Sequence, residues 1–232
     1  MAGVDPLARF VELVAGPEAA LPLDEVGLLI AAHAHPDLDV EAQLVRFDDL
    51  AASLGEPTLD GLRRLLFRDL GFAGNEVNYY DPRNSYLHEV LDRRTGIPIS
   101  LAVVTMEVGR RAGVPLAGVS MPGHFLLRDK VDPDVFVDPF DGGRLLDRRM
   151  AQLRFHGVHG PDAPFDPAML EPVGKLVIVD RQLANLELIA RRRSDPFMLT
   201  WVLRLRAALP GADPGLAAQL ALAEQAQQTR LN

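Results

Sequence analysis

RTGIPISLAVVTMEVGRRAG (Arg94–Gly113), followed closely by MPGHFLLR (Met121–Arg128), is the stretch on which the reading of this chain turns. Gly96-Ile97-Pro98-Ile99 is a tight turn that delivers Ser100 to the start of a helix expected over about Leu101–Ala112. Val103, Val104, Met106 and Val108 lie almost all round that helix, and a helix apolar on most sides must be buried. It is therefore expected to be the central helix of the domain. Beyond it, LAGVSM (Leu116–Met121), HFLLR (His124–Arg128) and VFVD (Val135–Asp138) read as short strands, the last two joined by a hairpin-length connection.

A register for that hairpin follows from packing. Pairing Arg128 with Asp134, Phe125 with Val137 and Leu127 with Val135 sets charge against charge and apolar against apolar on a half-buried sheet. It also places His124 opposite Asp138, about 5 Å apart at Cβ, within reach of an imidazole–carboxylate bond. Ser100, His124 and Asp138 then form a candidate triad of hydroxyl, base and orienting carboxylate. Each has a plainer role open to it. Ser100 can be a helix cap, His124 a hydrogen-bonded, partly buried histidine, and Asp138 the Asx cap of the DPFDGG turn.

Upstream, the first 70 residues read as helices. MAGVDPLARFVELVAG is amphipathic and unlike a signal peptide, DEVGLLIAAHAH opens on two acids, and DVEAQLVRFDDLAASLG stops at Gly55. TLDGLRRLLFRDLG is capped by Thr58 and ends at Gly71. The turn-rich segment after it holds Asn75, Tyr79, Tyr80, Asp81 and Asn84, the candidate cleft-lining set, with loop capping as their alternative role. Asn84 or Ser85 is expected to cap a short helix ending near Gly96, and a further helix is expected through Arg148–Phe155. The chain ends in helices, of which KLVIVDRQLANLELIARRR and DPFMLTWVLRLRAALPG have the size of one helix-turn-helix repeat. The resulting division is a helical lobe over 1–72, an α+β core over 73–155, a connector over 156–179 and C-terminal helices over 180–232.

Composition narrows the chemistry. The chain has 232 residues, 48% hydrophobic, and a net charge of −8, with basic residues scattered as pairs apart from Arg191–Arg193. That balance speaks against a nucleic-acid partner. No run of about 18 apolar residues is present, so no membrane span is expected, and the absence of cysteine fits a reducing cytoplasm. It also excludes disulfides, thiolate metal sites and a thiol nucleophile. His33-x-His35, and His156 with His159 beside Asp162, are ligand-type pairs without evident supporting partners. Neither metal nor cofactor is expected.

FAGNEVNYYDPRNSYLHEVLDRRTGIPISLAVVTMEVGRRAGVPLAGVSMPGHFLLR with VFVDPFDGGRLL resembles the SirB-type branch of the transglutaminase-like superfamily, over roughly residues 40–150. LANLELIARRRSDPFMLTWVLRLRAALPG resembles the tetratricopeptide-like tail of the same proteins. The resemblance implies a papain-like α+β core, a central buried helix packed on a small antiparallel sheet, with Cys-His-Asp geometry. His124 and Asp138 fall on its His and Asp positions, and Ser100 at or next to the cysteine position. A serine hydroxyl, unlike a thiol, is not ionised by a helix N-terminus and needs a base in contact. The expected function is therefore a cytoplasmic binding module for an unknown protein or peptide. The alternative is a serine-dependent amidase or peptidase-like hydrolase.

Overall fold

The structure, a computed structural model, describes residues 5–231, with side chains to 228. Residues 1–4 of the expected first helix and Asn232 lie outside that range.

The N-terminal helices are α1 (Pro6–Ala15), α2 (Leu23–Ala32), α3 (Val40–Ala52) and α4 (Leu59–Arg63). Local chemistry starts three of them: Asp5, Asp39 and Thr58 each accept a backbone N–H of the first turn. A two-residue parallel ladder, β1 (Ala73–Gly74) with β2 (Thr95–Gly96), brackets α5 (Leu87–Arg93). Neither of these short strands is evident from the pattern, since two residues carry no periodicity. The residue before α5 is Tyr86, which makes no side-chain cap, so neither Asn84 nor Ser85 caps this helix. Asp81 instead caps a single 3₁₀ turn over Pro82–Asn84.

The central helix α6 spans Pro98–Ala112 and ends on Gly113 in the left-handed region, φ 78°. It starts three residues earlier than expected, because Pro98 at the first turn needs no N–H partner there. Ser100 thus lies inside the helix. Val103, Val104 and Val108 are fully buried, and so is one charge, Glu107. Its carboxylate takes Nε of Arg110 at 2.8 Å, while Arg111 pairs with the buried Asp24 of α2. This ion-pair cluster bolts the first lobe to the central helix.

The sheet is an antiparallel meander of β3 (Leu116–Val119), β4 (Leu126–Asp129), β5 (Phe136–Asp138) and β6 (Arg144–Leu146). Leu127 pairs with Val137 and Arg128 with Phe136, two residues away from the expected register. A shift of two preserves every face, so Phe125, Leu127 and Val137 still meet the main core with α6. The hairpin pays no charge penalty for the shift. Arg128 reaches Glu171 at 2.8 Å and Asp134 takes Arg148 at 2.7 Å, so the expected Arg128–Asp134 pair does not form. β4 begins at Leu126, leaving His124 before the strand in a turn, its N–H on the Met121 carbonyl at 3.1 Å.

Nor is the sheet half-buried. Its other face, with Leu126, Phe136 and Leu146, packs on Ala151 and Phe155 of α7 (Arg148–His159) and on Leu170. α7 thus runs four residues into the expected connector, which also holds a 3₁₀ turn at Pro167–Leu170. Helices α8 (Lys175–Arg192), α9 (Pro196–Ala207) and α10 (Gly215–Leu231) complete the chain. One apolar cluster runs from Phe10 through Val104 to Ile178, Leu186 and Leu205, joining first lobe, core and C-terminal helices. No described helix is long and apolar enough to cross a membrane.

Candidate functional site

Two of the three triad positions meet. His124 Nε2 lies 2.9 Å from both carboxylate oxygens of Asp138, diagonally across the shifted register rather than directly opposite. A carboxylate accepts, so Nε2 carries a proton, and in the neutral imidazole Nδ1 holds the lone pair. No hydrogen bond to Nδ1 occurs among the described residues.

Asp138 does more than hold the imidazole. Its Oδ1 also accepts the N–H groups of Phe140 and Asp141 at 3.1 and 3.2 Å, closing the DPFDGG turn. Both its turn role and its contact with His124 are present at once. The turn needs Gly143 at φ 71°, where an added Cβ would lie 2.2 Å from the Phe67 ring. Arg154 of α7 comes within 2.9 Å of Asp138 Oδ2. Burial alone would raise the Asp138 pKa, but the hydrogen bond and charge of His124, followed by Arg154, hold it below the ordinary carboxylate value.

A depressed folded-state pKa has a definite sign. Its stabilisation is complete above the unfolded carboxyl value of about 4 and is lost as pH falls through the lower folded value. Denaturant melts taken between about pH 2 and pH 7 should therefore show a steeper acid limb for the native chain than for Asp138→Asn. Identical slopes would show that the carboxylate gains nothing from its neighbours.

Ser100 stands apart from this pair. Its Oγ accepts the Ile97 N–H at 3.1 Å and donates to the Asn84 carbonyl at 2.6 Å. It is the third helical residue reaching back to the N-cap, the serine form of half a capping box. The capping bond thus runs backward to Ile97, not forward toward Val103. Gly96 makes room for it, since a Cβ there would lie 2.6 Å from Oγ. Ser100 is 1% exposed, and no bond joins it to His124.

The expected cleft residues divide. Asn75 and Asn84 bond each other at 3.0 Å, Asn75 accepts the Asn78 N–H, and the fully buried Asn84 donates to the carbonyls of Asn78 and Tyr79. Asp81 is taken by Arg83, which holds its carboxyl below the usual range. These three spend their polar atoms on the loop and on Arg93 of α5, which donates to Asn84 Oδ1 at 3.2 Å. Tyr79 and Tyr80 instead extend a series of rings from His124: His124 to Phe140 at 6.1 Å, Phe140 to Tyr79 at 5.9 Å and Tyr79 to Tyr80 at 5.3 Å. Arg192 of α8 covers Tyr80, 3.9 Å from its centroid.

Three members of this neighbourhood were not foreseen. Phe140 sits beside His124, Arg154 approaches Asp138, and Arg181 of α8 donates to Ser120 Oγ and to the carbonyls of Met121 and His124. Burial lowers the Arg181 pKa, and no carboxylate pairs with it among the described residues. Phe140 was findable as the residue inside the Asx turn. The two arginines carry no local signal, because only helix docking brings them near.

With a central helix, a meander sheet and a His–Asp pair at its edge in place, comparison with known sequences decides the family. A model of the transglutaminase-like superfamily matches residues 31–184. The chain belongs to the transglutaminase-like superfamily. A UPF0162 protein of Xylella fastidiosa is 44% identical over 182 residues, covering 73% of this chain and 65% of that protein. A UPF0162 protein of Pseudomonas aeruginosa is 32% identical over 202 residues, 83% of this chain and 73% of its own length. Mouse F-box only protein 21 is 41% identical over 102 residues, 40% of this chain but 16% of that protein. The chain thus spans 65% of the length of the Xylella relative and far less of the F-box protein. No solved structure gives a significant match. This transglutaminase-like chain keeps a histidine and an aspartate in contact while having no cysteine anywhere.

Proposed function

We propose that this chain is a SirB-type transglutaminase-like module that binds a protein or peptide partner without forming an acyl intermediate. The observation that carries the reading is the commitment of Ser100. Its proton is given to the Asn84 carbonyl and its oxygen is buried, so no attacking oxygen lies against the His124 lone pair. A hydroxyl in that position needs a base in contact, and the helix N-terminus does not substitute for one.

Binding draws support from the rings that lead outward from His124 to the 41% exposed Tyr80. Aromatic side chains supply large contact area at small entropic cost. Beside Asp138 a groove of about 390 Å³ is lined by Leu146, Met150, Leu153, Arg154 and Val158, wide enough for apolar side chains of an extended peptide. The C-terminal helices, of tetratricopeptide-like size, set Arg192 over Tyr80 at the outer end of that ring series.

The competing reading, a serine hydrolase, has one observation in its favour: the His124–Asp138 contact leaves Nδ1 without a hydrogen bond. A serine-directed phosphonate separates the two. No label should appear on the native chain, and Ser100→Ala should lower stability by roughly 1 kcal/mol, since the Ile97 N–H and the Asn84 carbonyl keep only their 3.4 Å bond to each other. Label on Ser100 that disappears in His124→Ala would establish the hydrolase instead. In parallel, peptides selected from a random display library should bind the native chain more tightly than Tyr79→Ala, Tyr80→Ala or Leu153→Ala. Selection that yields no peptide weakened by any of these would defeat the binding reading.

A further inference from the structure

His35 lies more than fifty residues of chain before the adjacent His88 and Glu89, yet one donor atom from each falls in a cluster no more than 4.8 Å across. His35 lies in the turn after α2, its N–H on the Ala31 carbonyl at 3.0 Å, while His88 and Glu89 open the first turn of α5. The two imidazoles meet edge to face with centroids 4.5 Å apart. His33, the other half of the sequence pair, is drawn elsewhere: it stacks on Trp201 and Nδ1 bonds the Leu29 carbonyl. The geometry points to a binding site for a divalent transition-metal ion of the zinc type, held by His35, His88 and Glu89, that clamps the end of α2 to α5.

Two independent features favour this over fortuitous proximity. His88 is 9% exposed, and its buried Nδ1 has no hydrogen-bond partner. Buried polar nitrogens are almost always satisfied, so an orphan nitrogen on a ring that meets two other ligand-type residues calls for a ligand. Glu89, half-buried, makes no hydrogen bond or ion pair among the described residues. Arg83, the cation that feels its charge, is already engaged by Asp81 at 2.6 Å, and Arg46, which acts on His88, is engaged by Asp92 at 2.7 Å. The carboxylate charge is thus available to a metal.

The donor set selects the ion. Two imidazoles and one carboxylate suit zinc, cobalt or nickel rather than magnesium, which demands oxygen ligands. Bonds of about 2.0–2.1 Å to a tetrahedral ion require donors about 3.4 Å apart, so the cluster must tighten on binding. His35 and Glu89, both partly exposed, have the freedom to close on the fixed His88. Their exposure leaves the fourth position to water.

The full chain, stripped with chelator, should bind one zinc ion by calorimetry, with a rise in Tm that magnesium does not reproduce. Cobalt should give a visible ligand-field absorption that equimolar zinc abolishes. His88→Ala risks unfolding, so the deciding variants are His35→Ala and Glu89→Gln. Each should keep the metal-free Tm while weakening zinc by at least about tenfold. A His156→Ala, His159→Ala double variant should bind as the native chain does. The proposal is overturned if zinc does not bind saturably, if both deciding variants bind with native affinity, or if only the double variant loses binding.

Discussion

Removing residues 175–232 should leave a chain that aggregates when expressed, with no cooperative thermal transition. Ile178, Val179, Leu183, Leu186, Val202 and Leu205 on α8 and α9 are each essentially inaccessible to solvent and belong to the same cluster as Phe10, Leu28 and Val104. Burial of each such side chain contributes about 1.5–3 kcal/mol. Losing six forfeits roughly 9 kcal/mol or more, against a total stability of about 5–15 kcal/mol for an ordinary domain. Polar ties are cut as well. Lys175 Nζ donates to the Leu21 carbonyl at 2.7 Å, and Arg181 braces the turn that carries His124. A soluble truncation with a sharp melt would show that the C-terminal helices are an accessory and not part of the core.

Val104→Asp should cost about 3–5 kcal/mol and bring the chain close to its unfolding threshold. Val104 is 1% exposed in the middle of α6. The helix does hold a buried carboxylate one turn on, at Glu107, but that charge has Arg110 and Arg111 beside it. Even so paired, burial and Asp24 raise the Glu107 pKa. An aspartate at 104 would lie among Val103, Val108 and the sheet residues with no such partner. Val104→Thr, with a satisfiable hydroxyl in the same volume, should cost far less. A melt of Val104→Asp matching the native one would place α6 at the surface.

Much of the frame was legible before any coordinates. α6 was readable because its apolar residues surround it and Gly113 ends it, both local properties. Thr58 marked a helix start for the same reason, since a cap acts on a backbone N–H two or three residues away, and Asp5, Asp39 and Asp195 cap their helices in the structure by the same local chemistry. The alternation of β4 and β5 was also readable, which is why a register wrong by two still put the right side chains on the right faces. β6 and the β1–β2 ladder were not, because β1 and β2 have two residues each and Arg144-Leu145-Leu146 shows no alternation of apolar and polar residues.

The candidate site was legible only in part. The His124–Asp138 contact spans 14 residues within one hairpin, and hairpin packing is close to local chemistry. The direction of the Ser100 hydroxyl was decided by Asn84, 16 residues upstream, whose carbonyl reaches the helix only because the 75–85 loop folds around its own asparagines. His33-x-His35 looked like a pair, yet docking of α9 draws one ring to Trp201 and docking of α5 sets the other against His88. The sequence by itself determined where most helices lie, the Thr58 cap, the central buried segment and the superfamily resemblance, since each depends on residues a few positions apart. Only the tertiary structure decided which polar atoms are spent on the fold and which remain available to a partner. Hydrogen-bond and metal-ligand geometry acts over about 3 Å, and bringing groups that close depends on how whole helices pack.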